Sequence, residues 1–356
     1  MLADLGADVV KVESPEGDDY RHIGPFRDGE SALFQLVNRN KQSIVADMKS
    51  PEGRALVAAL AAKADVVVEN FRPGVAQRLQ IGYEALAKVN PALIYASISG
   101  FGQTGSSREL PAFDLVAQAL SGMMAMTGTA EGPPTKVGES IGDLAAGVFC
   151  SWAILAALYE RTRTGVGRKI DVGMVDCLIA LMPTAVAQWM FGTQGPVRTG
   201  NRHPLSTPFG AYPARDGHIV ICVLNTAQFR ALAHCMHQPA LADDPRYLTD
   251  ESRTLHEPEL SAVISAWLKS LSIAQALEQL QAAGVPASLI ANPSDVFAGE
   301  QVRERQLLSS TLHPIVGSIT AMEQPVHFSG LARGQQQPAP GLNEHGKDVI
   351  NRWLGQ

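Results

Sequence analysis

The sequence is sparing in the features that mark most specialised protein classes. Its 356 residues contain four cysteines, Cys150, Cys177, Cys222 and Cys235, scattered with no CxxC spacing. That excludes a thiolate metal cage and a disulfide framework, and implies buried reduced thiols in a cytoplasmic protein. Nine histidines are spread without an HxxxH pair or a His/Asp/Glu cluster, so no metal site is expected. Charge is low at 18% of residues, and the net value of −6 is distributed along the chain, which argues against a nucleic-acid partner. No apolar leader is visible, because Asp4 interrupts the start. The apolar run Leu144–Tyr159 reads as too short to span a bilayer, and Pro183 breaks the next one, so no membrane association is expected. There is neither an internal repeat nor a low-complexity stretch.

What is present is a strand–helix alternation. Asp8–Glu13, Ser43–Asp47, Asp65–Asn70, Ala92–Ile98 and Lys169–Val172 read as strands, and the continuous apolar Val66-Val67-Val68 suggests a parallel sheet buried on both faces. Ser50-Pro51-Glu52 opens a helix running to about Ala64 with a cap, an early proline and an early acid. Further helices are expected over Tyr83–Val89 and from Met174 to about Phe191. This rhythm predicts a doubly wound α/β domain. Residues 1–191 would form it, 192–209 a Gly/Pro/Arg-rich linker, 210–299 a smaller α+β domain, and 300–356 a return to the large domain. In the tail, His313–Ile319 reads as a strand and Glu344–Trp353 as a helix. Met1–Gly6 resembles the last turns of a helix, so the opening strand of a doubly wound domain is expected to be missing.

Four places carry chemistry. Asp143 stands at the mouth of the apolar run and is expected to N-cap a buried helix, where exposed amides and the dipole hold a carboxylate ionised. Such a residue is either a plain cap or a nucleophile. Gly100-Phe101-Gly102-Gln103-Thr104-Gly105 matches GxGxxG, but Ser106, Ser107 and Pro111 continue a loop rather than open a helix, so NAD is not expected. The glycines suit close approach of a ligand or of backbone. Asn70-Phe71-Arg72-Pro73-Gly74 closes a strand at the carboxyl edge of the sheet, as an ordinary turn or as part of a ligand site. Arg202-His203 in the linker is either solvated or grips an anion.

Taken together, several stretches resemble the family III CoA-transferases, the group containing formyl-CoA transferase and the acetyl-CoA:oxalate and succinyl-CoA:dicarboxylate CoA-transferases. They are Leu5–Glu13, Asn38–Ile44, Val68–Gly74, Ser99–Gly105, Phe113-Asp114, Gln118-Ala119, Ser121-Gly122, Gly142-Asp143 and Arg161–Gly165. The resemblance implies a Rossmann-like parallel sheet in a large domain, a smaller α+β domain and an interlocked homodimer. It implies Asp143 as the nucleophile that attacks an acyl-CoA thioester. It implies coenzyme A contacts at Ala46, Lys49, Asn70, Phe71, Arg72 and Arg78, with Arg108 standing in for a lysine replaced by Pro111, and Ser14 where a basic residue is usual. Gly100 and Gly102 would line the substrate site, and Arg202 and His203 would lie near the acceptor carboxylate. Phe113 stands where the racemases of this fold carry a proton-transferring histidine, which argues against racemase chemistry. The alternatives are an α-methylacyl-CoA racemase-like enzyme or an inactive CoA-binding fragment. Oxalate, succinate, itaconate, glutarate and malate all remain open as acceptors.

Overall fold

The strand–helix rhythm is realised in a computed structural model that describes residues 1–192, 195–330 and 334–355. Residues 193 and 194 of the expected linker, and 331–333 and 356 of the C-terminal segment, lie outside the described residues. The chain divides into two compact units. The first comprises Met1–Ser121, Gly138–Leu181 and Val296–Gln356, and the second Gly122–Val137 and Met182–Asp295. The sequence-based boundaries at 191 and 209 do not coincide with these, since residues 122–137 and 182–191 group with the second unit.

In the first unit, β1 (Val9–Glu13) and β2 (Lys41–Val45) pair in parallel, with Val9 opposite Lys41. Helix α1 (Pro51–Lys63) follows, and the Ser50 side chain caps it by accepting from Gly53 N, as the sequence predicts. Strands β3 (Val66–Glu69), β4 (Ile94–Ser99) and β5 (Arg168–Gly173) then form a second parallel sheet in that order. Helix α1 serves both sheets. Its Leu60 packs with Ile44, Val10, Val12 and Val349, and its Ala61 with Leu86, Leu93, Tyr95 and Val67. Parallel pairing fits the apolar runs, but the expectation of burial on both faces fails at Val68, which is 50% exposed. That residue lies on a sheet edge, where coverage is incomplete.

Helix α2 (Asp114–Ser121) and helix α3 (Ile141–Thr164) pack with helix α4 (Met174–Ala180). Small residues form the buried stripe of α3: Gly142, Ala145, Ala146, Cys150, Ile154 and Ala157. The sequence reading of a wholly buried helix is therefore corrected. Leu144, Val148, Trp152, Leu155 and Tyr159, spaced by three and four residues, form an opposite stripe that is 46–70% exposed. The expected length is corrected as well. At 24 residues the helix is long and apolar enough, by length and composition, to cross a membrane. The expected single helix over 174–191 is broken before Pro183, which removes a hydrogen bond and clashes with the preceding turn.

The second unit holds an antiparallel sheet of β6 (Phe209–Ala214), β7 (Gly217–Cys222) and β8 (Ala287–Leu289), with β7 in the centre. Its core gathers Ile219, Ile221, Phe229, Leu232, Leu260, Ile264, Leu268 and Leu280, all fully buried. Buried Arg253 ties this unit's loops together by donating to the main-chain oxygens of Thr207, at 2.7 Å, and Tyr247, at 3.2 Å. In the C-terminal segment the expected strand at 313–319 is a hairpin, Leu308–His313 against Gly317–Met322, with the turn falling at Pro314. The last helix, Gly346–Leu354, packs on α1 and β2. All four cysteines are free.

One glycine shows how tightly β2 joins α1. A Cβ at Gly53 would stand 2.0 Å from Asp47 O. Gly→Ala normally strengthens a helix, but here the added methyl meets backbone that cannot swing away. Gly53→Ala is expected to lower unfolding stability by about 1–3 kcal/mol in urea denaturation, and a gain in stability would contradict the close contact.

Candidate active site

Parallel strands bring the ends of unrelated segments to one edge of their sheet, and Ala46 and Lys49 follow the end of β2 while Asn70–Arg78 follow the end of β3 in the second sheet. Ala46 directly succeeds β2, is buried, and donates its N–H to Glu13 O at 2.9 Å, locking the ends of β1 and β2 together. Lys49 sits on the next turn, where its N–H is held by Asp47 Oδ1 at 2.9 Å and its side chain is exposed. After β3, Phe71 N donates to Glu69 Oε2 at 2.7 Å. Gly74, at φ +83°, turns the chain into the short helix Val75–Arg78. A Cβ at Gly74 would meet Arg78 Nη1 at 3.3 Å, so the Arg78 side chain folds back over this turn. Asn70, Arg72 and Arg78 are exposed and Phe71 is half-buried. Asn70–Arg78 thus form one cationic turn at the end of β3, with Lys49 on the turn that ends β2.

The glycine loop after β4 opens no helix, as expected. Gly100 is required by packing, since a Cβ there would lie 2.3 Å from Ala112 Cβ. Gly102 takes φ +78°. The following amide, Gln103 N, donates to both carboxylate oxygens of Asp171 at 2.9 Å, so the loop is fastened to β5 and this N–H is already engaged. Arg108 is exposed and pairs with its neighbour Glu109 at 3.1 Å, a surface contact of little energetic weight.

Asp143 departs from its expected position. Ser140 is the N-cap, without a side-chain cap bond, and Asp143 is the third residue of α3. The capping carboxylate comes instead from α2. Asp114 Oδ1 accepts from Gly142 N at 2.7 Å, while its Oδ2 accepts from Gln118 Nε2 at 2.7 Å. Glycine is needed at 142, because a Cβ would stand 3.0 Å from Asp114 Oδ1. Two first-turn amides are therefore already engaged, Gly142 N by Asp114 and Ile141 N by Glu139 O. The direction of its electrostatic shift is also corrected. Burial first, and the Asp114 carboxylate second, push the Asp143 carboxyl above the usual aspartate value. This holds although Asp143 keeps contact with solvent.

Tyr20 belongs to the same electrostatic neighbourhood. Its phenol is raised by burial and by the carboxylates of Asp143, Asp18 and Asp114. The loop carrying it is anchored by buried Glu13 at the end of β1, which accepts from Arg21 Nε and Nη2 at 2.8 Å and from Ser43 Oγ at 2.5 Å. These bonds hold Glu13 below the usual glutamate value against its burial. Sequence reasoning missed Tyr20, and it named Asp114 and Gln118 only as motif residues without their roles. The Asp114/Gln118 spacing of four was a usable signal for a helical pair, whereas nothing in the sequence links Tyr20 to Asp143.

Arg202 and His203 lie in the second unit. Asn201–His203 lies along β6, with Ala211 N donating to Asn201 O at 3.0 Å and His203 N to Phe209 O at 2.8 Å. Arg202 Nε faces Glu257 Oε2 at 3.4 Å. The His203 ring stacks on Phe209 with centroids 5.0 Å apart, and its Nδ1 accepts from Leu205 N, leaving Nε2 as the protonated nitrogen of the neutral ring. Among the described residues no three His, Cys, Asp or Glu side chains are placed to hold a metal ion.

The model of CoA-transferase family III matches residues 1–346. The chain belongs to CoA-transferase family III. Among the relatives of this CoA-transferase is the acetyl-CoA:oxalate CoA-transferase of Acetobacter aceti, 42% identical over 97% of this chain and 88% of that protein. The succinyl-CoA:glutarate CoA-transferase of Mus musculus is 37% identical over 99% and 81%. A CaiB/BaiF family protein from Brucella suis has the same fold, with a TM-score of 0.85 and 36% identity over 99% of this chain and 93% of that one. Family membership makes acyl-CoA the substrate class and agrees with the mixed α/β architecture of parallel sheets.

The Asp114–Asp143 coupling is open to direct measurement. In Asp114→Asn the cap acceptor for Gly142 is kept and the charge removed, so the Asp143 carboxyl is expected to titrate lower than in wild type, yet still above an ordinary aspartate because burial remains. Side-chain carboxyl NMR titration reads this, and an unchanged Asp143 midpoint would refute the coupling.

Proposed function

We propose that this chain moves CoA from an acyl-CoA to a small carboxylic acid, with dicarboxylates favoured, through a covalent intermediate on Asp143. The observation that carries the reading is the Asp143 carboxyl itself, placed in the first turn of α3 and made more basic by burial and by Asp114. A more basic carboxylate is the better nucleophile once ionised. It attacks the thioester carbonyl carbon, the C–S bond breaks, and CoA thiolate leaves a mixed anhydride. The thiolate then attacks the aspartyl carbonyl and releases the donor carboxylate, leaving an aspartyl-CoA thioester. The acceptor carboxylate displaces CoA from that thioester to form a second anhydride. Attack of the thiolate on the acceptor's carbonyl gives the new acyl-CoA and restores Asp143.

Lys49, Arg72 and Arg78, exposed on the turns that end β2 and β3, suit the phosphates of CoA, with Ala46, Asn70 and Phe71 beside them and Arg108 as a further cation. Gly100 and Gly102 supply close approach near the acyl group. Arg202 and His203 of the second unit suit a carboxylate ligand, which fits relatives named for oxalate and glutarate. The enzyme works in the cytoplasm without metal or NAD. The exposed apolar stripe on α3 supports an interlocked homodimer, because a monomer rarely leaves so large an apolar surface in water.

Intact-mass spectrometry with hydroxylamine trapping tests the mechanism after incubation with acetyl-CoA or succinyl-CoA. A CoA-sized or hydroxamate adduct on Asp143, absent in Asp143→Ala, is expected, and folded, CoA-binding protein that forms no adduct would refute it. The transfer rate is expected to fall as pH drops through the raised Asp143 value, since only the ionised carboxylate attacks. Light scattering tests assembly: wild type is expected at twice the chain mass and Trp152→Asp at a single chain mass, and a monomeric wild type would remove the dimer.

A further inference from the structure

The glycine loop after β4 opens no helix, so its shape has to be held from elsewhere in the chain. Gly102, at φ +78°, and Gly105, at φ +85°, lie in the left-handed region, and glycine by itself fixes the backbone weakly. The loop's own polar side chains add no bond, since Ser99 Oγ at its base and Gln103 Nε2 within it are buried without a partner. Two contacts fasten it, and both come from the junction of β5 with α4. Val175 N donates to Gly100 O at 3.1 Å, and Gln103 N donates to Asp171 Oδ1 and Oδ2, each at 2.9 Å. Among the described residues Gly100–Gly105 make no other hydrogen bond.

Strand register explains why this junction reaches the loop. Ser97 of β4 lies opposite Asp171 of β5, and Ser99 opposite Gly173. Side chains two apart on a strand share a face, so Asp171 and position 173 point the same way. The loop folds back onto that face. A Cβ at Gly102 would meet Asp171 Oδ1 at 3.4 Å, and a Cβ at Gly173 would meet Gly102 N at 3.0 Å and Asp176 Oδ2 at 2.7 Å. Two glycines permit the close approach, and one carboxylate locks it. Asp171 is exposed and forms no ion pair among the described residues. A surface carboxylate of this kind does little for global stability, so what it fixes is the loop.

We propose that Asp171 is a positioning residue for acyl transfer, holding the glycine loop against β5 so that the acyl group meets it in one orientation. This role rests on the reading that Gly100 and Gly102 lie near the acyl group. Asp171 acts through Gln103 N, without touching substrate. The phosphates of CoA are assigned to Lys49 and to the Asn70–Arg78 turn, at other strand ends, so the latch governs the chemical step and leaves CoA affinity alone.

Rapid-quench mass spectrometry of the Asp143 adduct reads the chemical step, and calorimetry with CoA reads the affinity. Asp171→Ala is expected to slow adduct formation by about 10- to 100-fold, with CoA affinity and the urea unfolding midpoint at their wild-type values. Asp171→Asn keeps an oxygen acceptor for Gln103 N and is expected to recover most of the rate. Gly173→Ala presses on Gly102 N from the same face with Asp171 in place, and is expected to slow the step as well. Both changes act through one loop, so the double variant is expected to be no slower than the worse single one. Four results overturn the positioning role and leave the transferase reading standing: an Asp171→Ala rate equal to wild type, an Asp171→Asn rate no better than Asp171→Ala, a loss of CoA affinity that matches the loss of rate, or rate losses that multiply in the double variant. Wild type that forms no adduct fails the transferase reading, and the positioning role with it.

Discussion

The bond from Gly142 N to Asp114 Oδ1 fixes the geometry on which the candidate active site depends. It joins α2, which follows the glycine loop, to the first turn of α3. A charge-assisted bond of this kind is shorter and stronger than one between neutral groups. It dictates glycine at position 142, because a side chain there would push the carboxylate away. It also sets Asp143 one residue further on, beside a second negative charge. The N-cap that the sequence assigns to Asp143 is supplied by another helix, and Asp143 is left as a carboxylate with no capping duty.

That arrangement reverses the electrostatics expected of an aspartate at a helix start. The helix dipole favours the ionised form, but burial and Asp114 outweigh it, and the carboxyl rises. Ionised and poorly compensated, such a group gains by losing its charge to a covalent bond. The same feature that is costly to the folded state is useful to acyl transfer. In the same unit the glycine loop is fastened by a main-chain amide bonded to Asp171 and the Tyr20 loop by the Arg21–Glu13 ion pair.

Among the described residues, the Leu144–Tyr159 stripe of α3 is an apolar surface of the first unit that stays exposed. It offers side chains, which another apolar face covers without fixed direction.

Local signals were strong enough for the sequence alone to set the elements and their order. Ser50-Pro51 starts α1, the valine runs make β1 and β3, and Pro183 ends α4. Motif order along the chain carries the family. The end of β3 likewise marks Asn70–Gly74 from the sequence, because in a parallel sheet a strand's end is also a place in space, whereas Ala46, Lys49 and Arg78 enter only through the family resemblance. Tertiary structure alone decided the rest. The cap on α3 comes from a residue 28 positions away, and the Arg202–Glu257 pair spans a longer separation still. Which stripe of α3 is buried depends on the small residues that let α2 and α4 approach, a matter of packing that a run apolar on every side does not reveal. The sign of the Asp143 shift is a balance between a local dipole and a distant charge, and sequence displays only the first of these.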